Sequence, residues 1–182
     1  MRHTLIPIFL SLALAACAGS VSVSRNYIPQ AGVPGHADYA ATRGPTPVVM
    51  LNNPFPPPTI VAALQKNNPR QHLVFTTDPP ASLAGGYRVL LAFDGMPAGD
   101  LQVCQGPPAA APNADPARAS TSVYAAFCLG PRLLSEAVAT APKFDSERDP
   151  GLARLMGDLL VAIMPSRDPH ETGSSRCFRP PC

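Results

Sequence analysis

Few residues of this chain are spaced to do chemistry together. His36, His72 and His170 stand isolated. His72 opens an expected strand with nothing beside it to orient an imidazole. Ser135-Glu136 falls on an expected helix, where a serine lacking a neighbouring base is a poor nucleophile. Asp94 and Asp100 flank a stretch holding Gly95, Pro97 and Gly99. Paired carboxylates can serve acid–base work or hold calcium, but Asp beside Gly and Pro is also what turns use. A phosphate-cradling Gly-rich loop, an HExxH helix, a GxSxG elbow and a CxxC pair are all missing. Cys177 and Cys182, helped by His170 or Glu171, could form a metal clip, though a disulfide is the stronger reading. No catalytic residue, metal or cofactor is therefore expected. The segment Asn53-Pro54-Phe55-Pro56-Pro57-Pro58 offers binding instead. Extended proline-rich segments are partner ligands, which makes Phe55, Pro56 and Pro57 candidate partner contacts. The same prolines also suit a turn from strand into helix.

The N-terminus divides into three zones. Residues 1–4 carry positive charge, residues 5–14 are an apolar stretch, and Ala15-Ala16 precede Cys17. The apolar stretch is too short to span a bilayer and reads as a secretory signal. Leu14-Ala15-Ala16-Cys17 resembles the lipobox of bacterial lipoproteins. That resemblance implies cleavage before Cys17, acylation of its sulfur and anchoring in a membrane. Each buried methylene of an acyl chain contributes about 0.8 kcal/mol, so two or three chains hold a protein firmly. Ala18 departs from the Asp that the class uses for inner-membrane retention, so the periplasmic side of the outer membrane is the expected location. An ordinary secretory cleavage site at Ala16-Cys17-Ala18 is the alternative. The layout around Asn53-Pro54-Phe55, Tyr87-Arg88-Val89 and Ala126-Phe127-Cys128 resembles hypothetical bacterial lipoproteins, a resemblance that implies no activity.

Lipidation of Cys17 would leave Cys104, Cys128, Cys177 and Cys182, an even set suited to an oxidising compartment. Three pairings are open. Cys104 with Cys128 and Cys177 with Cys182 is the favoured one, because the first two end strand-like stretches on the face opposite Val103, Val123 and Phe127. On the chain-entropy model these loops contribute roughly 3.5 and about 2 kcal/mol.

Composition bounds the rest. The chain has 182 residues, 46% of them hydrophobic, enough for one core. Loss of Arg2 with the leader leaves thirteen basic residues against twelve acidic ones. Charge so balanced and scattered argues against a nucleic-acid partner, which needs a clustered basic face. The 24 prolines confine regular elements to the windows between them.

Those windows give a domain map. Residues 1–16 are the signal peptide, 17–46 the lipidated cysteine and a flexible tether of about 30 Å reach, 47–165 the globular domain and 166–182 a polar tail. Strands are expected at 48–51, 72–77, 87–94, 101–104 and 121–129. Helices are expected at 59–66, from Gly130-Pro131 through Leu133, Leu134, Ala137 and Val138, and at 150–164. In the last, Leu152, Leu155, Met156, Leu159, Leu160 and Ile163 form one apolar face. The fold class expected is α+β, a mostly antiparallel sheet of four or five strands with three helices on one face, stapled by disulfide.

Three functions of different class remain. The first is a non-enzymatic lipoprotein docking an envelope protein or supporting an assembly. The second is a periplasmic binding module for a small apolar or envelope-derived ligand. The third is a hydrolase drawing His72, Ser135, Asp94 or Asp100 into one cleft.

Overall fold

The computed structural model describes residues 21–27, 32–83, 85–95, 103–105 and 119–167. The signal segment, Cys17, Asp100, Cys177 and Cys182 lie outside them. Six strands form one sheet in the order β1-β6-β5-β4-β2-β3. The strands are β1 (Ser22–Tyr27), β2 (Thr46–Leu51), β3 (Phe75–Thr76), β4 (Tyr87–Phe93), β5 (Ser120–Leu129) and β6 (Arg132–Pro142). The helices are α1 (Val33–Arg43), α2 (Pro57–Lys66) and α3 (Pro150–Ile163). The α+β class and the helical layer stand, but the sheet is mixed. Pairings from β1 to β4 are antiparallel, whereas β2 runs parallel to both β4 and β3.

The core follows from sequence periodicity. In β4, Val89, Leu91 and Phe93 face the helices, while Leu90 and Ala92 face the other side. Both sets are buried, as a central strand covered on two faces requires. Val123, Ala125 and Phe127 of β5 continue the helix-facing layer, and α1, α2 and α3 all pack into it. Asp149 caps α3 by accepting the Gly151 N–H at 2.8 Å, with Pro150 in the first turn. At mid-length, Gly157 lets α3 approach the end of α2. A Cβ there would stand 2.5 Å from the Cβ of Asn67.

Several expectations fail. The segment from Gly130 is strand β6, not a helix. Leu129 pairs with Arg132 across a two-residue loop, and Gly130 takes φ +53 at its first central position. Phe127 pairs with Ser135 but Cys128 with Leu133, so Leu134 is the extra residue of a β-bulge. The bulge breaks the two-residue alternation, and Leu133, Leu134, Ala137 and Val138 then mimic helical spacing. Ser135-Glu136 accordingly lies on a strand.

The second failure is the tether. Residues 17–46 were expected to be flexible, yet β1 pairs with β6 and α1 buries Val33, Ala37 and Ala40. Those three are the i, i+4 and i+7 positions of a helix, with Pro34 in its first turn. The globular part therefore starts well before Pro47. The strand expected at 72–77 is confined to Phe75–Thr76, because Leu73 N–H closes a turn onto the Arg70 carbonyl. Of the strand expected at 101–104, residues 103 and 104 fall in a turn.

On the sheet face away from the helices, Cys104 and Cys128 form a disulfide with Cα atoms 5.8 Å apart. It lies in a second apolar cluster with Leu90, Val103, Tyr124 and Leu133. Val103 is thus on the same side as Cys104, because the segment turns instead of running extended. Arg88 donates to the Cys104 carbonyl and holds the segment down.

Candidate functional site

The residues singled out from the sequence do not converge. Ser135 is fully buried on the helix-facing side of β6, and its hydroxyl donates to the Ile163 carbonyl. That carbonyl belongs to the last turn of α3, which leaves four without intrahelical partners. Asp94 closes the far end of the β4–β5 ladder. It has φ +51, its Oδ1 accepts the Ser122 N–H at 2.9 Å, and its own N–H donates to the Ser122 carbonyl at 2.7 Å. That is turn chemistry, and Asp tolerates the left-handed backbone it needs.

His72 is exposed on the loop before β3, with Nε2 3.5 Å from Asp38 Oδ1. Asp38 also pairs with Nη1 of the buried Arg70, whose Nη2 donates to the Pro165 carbonyl at 2.6 Å. This cluster ties α1, the α2–β3 loop and the end of α3 together. Phe55 is half-buried, with its ring edge-on to Phe93 at 6.5 Å and tilted against Phe144 at 6.4 Å. It therefore packs as part of the core. Pro56 and Pro57 remain exposed at the start of α2.

What the structure does assemble is an aromatic corner at the other end of the sheet. Burial of Val33, Ala37 and Ala40 turns His36, Tyr39 and Arg43 of α1 toward the first residue of β4, Tyr87. The Tyr87 ring stacks on Phe127 at 5.6 Å and 20°. Its hydroxyl lies 2.8 Å from His36 Nδ1, and Tyr39 meets it edge-on at 6.2 Å. Desolvation, then the nearby Arg132 charge, holds the His36 pKa below its ordinary value. Desolvation first, and Tyr39 second, raises that of Tyr87, with Arg132 opposing. Both directions favour a neutral imidazole that accepts the phenol's proton in the hydrogen bond.

A cleft with a cavity volume of about 360 Å³ opens beside this corner, lined by Tyr39, Arg43, Thr46, Ser82, Tyr87 and Leu129 among others. Thr46, the first residue of β2, is 2% exposed, and its Oγ1 has no hydrogen-bond partner among the described residues. Its N–H is used, donating to the Val74 carbonyl at 2.7 Å. A second concavity, between α2 and the loop into α3, is bordered by Thr59, Lys66, Glu147 and Arg148. Thr59 donates to Glu147 across it at 3.2 Å. The helical spacing of His36, Tyr39 and Arg43 was the available signal for the first cleft. Reading residues 17–46 as a tether hid it. Among the described residues no three His, Cys, Asp or Glu side chains gather to hold a metal, and no helix is long and apolar enough to cross a membrane.

The described residues form an open mixed sheet with three helices on one face and a disulfide on the other. No protein-family model matches the chain, and no curated protein matches it in sequence. Among solved structures it is similar to the PelC dodecamer from Paraburkholderia phytofirmans, with 11% identity, a TM-score of 0.38, and coverage of 80% of this chain and 99% of that one. A variant of the same PelC assembly gives a TM-score of 0.40 at 11% identity, covering 80% and 98% of the two chains. Likeness at this level assigns no function.

Proposed function

We propose that this chain is an exported lipoprotein, anchored through Cys17 on the periplasmic side of the outer membrane, whose domain works by docking another envelope component and not by catalysis. The observation that carries the reading is the stretch Leu14-Ala15-Ala16-Cys17 behind a basic, apolar leader. The Cys104–Cys128 disulfide supports it, since such bonds persist in oxidising compartments. The dispersal of His72, Ser135 and Asp94 over separate parts of the fold supports the non-catalytic part.

Intact-mass measurement on protein purified from membranes tests the anchor. The expected species begins at Cys17 and carries acyl chains. A chain retaining its leader with reduced thiols overturns the reading. Crosslinking in intact envelopes tests the docking role, with one stoichiometric protein partner expected and none counting against it. A second reading, a binding module for a small ligand, is favoured by the cleft beside Tyr39 and Tyr87.

A further inference from the structure

We infer that the cleft at the α1 end of the sheet is a binding site for a small organic anion built on a single ring, carrying a carboxylate or a phosphate. The inference rests on the small-ligand reading and names the chemistry of its ligand. Size comes first. Small-molecule sites enclose about 300–1,000 Å³, and a cavity of about 360 Å³ sits at the single-ring end of that range.

Charge comes second. Arg43 stands in the wall, and the Arg132 charge reaches the same corner, acting on both His36 and Tyr87. No Asp or Glu among the described residues lines the cleft. Asp38, the acid on α1, is committed to Arg70 and His72. A guanidinium offers a planar fork of donors that matches carboxylate and phosphate oxygens.

Shape comes third. Tyr39 is 55% exposed although it is aromatic and borders a cleft. With Tyr87, Leu83 and Leu129 it makes an apolar wall suited to a flat ring. Tyr87 is held in place by His36 and Phe127, so this wall is preorganised.

The test uses the purified mature protein in detergent, disulfide intact, with amide resonances followed by NMR. Benzoate and phenyl phosphate are the anionic probes, and benzyl alcohol is the neutral one. The expected result is saturable shifts at Gly85, Gly86 and Leu129 with at least one anion. Benzyl alcohol should bind at least about tenfold more weakly. Arg43→Gln, an exposed position in the last turn of α1, should remove that preference and leave the unfolding temperature unchanged. Which anion binds more tightly separates the carboxylate source from the phosphate one. Equal binding of charged and neutral probes overturns the anion assignment alone. Binding of none overturns the small-ligand reading with it. An Arg43→Gln variant that still prefers the anion also overturns the assignment.

Discussion

At the scale of single residues, His36 and Ser135 show how burial redirects chemistry that spacing alone leaves open. Burial first, and the Arg132 charge second, disfavour the proton of His36. A histidine whose folded pKa lies below its unfolded value binds protons less readily folded than unfolded. Its contribution to stability is then complete above the unfolded value, about 6.5, and is lost as pH falls through that value toward the folded one. The unfolding temperature should therefore drop between about pH 7.5 and pH 5. The drop should be smaller in His36→Asn.

Ser135 is consumed by structure. Replacing it with Ala leaves the Ile163 carbonyl buried and unpaired, which should cost about 1–2 kcal/mol in denaturant unfolding. A fluorophosphonate probe should leave the native protein unlabelled. Both residues were visible in the sequence, but their partners, Tyr87 and Ile163, lie 51 and 28 positions away. No local pattern reports such distances.

At the scale of elements, legibility followed regularity. The spacing from Leu152 to Ile163 gave α3 nearly to the residue, and the alternation in 87–93 gave β4. The α2 helix and β5 were equally legible, because their apolar periodicity has no interruption. The β6 strand was misread because the bulge at Leu134 shifts parity by one, which sequence alone cannot distinguish from a helical step. The α1 helix was missed because Gly32, Pro34 and Gly35 look like linker, and besides Val33 only the small residues Ala37 and Ala40 are its buried positions.

Element packing also makes a prediction. Gly157 sits where α3 crosses the end of α2, and Asn67 Nδ2 donates to the Ala153 carbonyl there at 2.8 Å. Gly157→Ala would raise intrinsic helix propensity by about 1 kcal/mol. The added methyl, 2.5 Å from the Asn67 Cβ, forces the helices apart instead. Net destabilisation of about 1–3 kcal/mol is expected from thermal or denaturant melts. The same substitution at Gly35, where a Cβ meets nothing within 4 Å, should be neutral or stabilising.

At the scale of the whole molecule, the sheet has unequal cover. The three helices seal one face, while the other relies on a smaller apolar cluster around the Cys104–Cys128 crosslink. Its sequence separation of 24 residues corresponds to about 3.5 kcal/mol of loop-closure entropy. Replacing both cysteines with Ser should lower the melting temperature by roughly 10 °C. Reducing agent should reproduce that drop in the native protein and have no such effect on the variant. The pairing itself was legible, because Cys128 alternates with Phe127 and must point to the opposite face. The candidate cleft was not, since it joins α1, the start of β2, the start of β4 and the end of β5.

Pairing of Ser22 with Thr140 bears on the proposed attachment. From Cys17 to Ser22 the chain advances five residues, which span at most about 17 Å when fully drawn out. An acylated Cys17 would thus moor the β1 edge of the sheet within a short step of the lipid headgroups. If the proposed anchor holds, the body would have little freedom to wander and would present a restricted set of orientations to the periplasm. Whatever it met would then have to come to the bilayer surface.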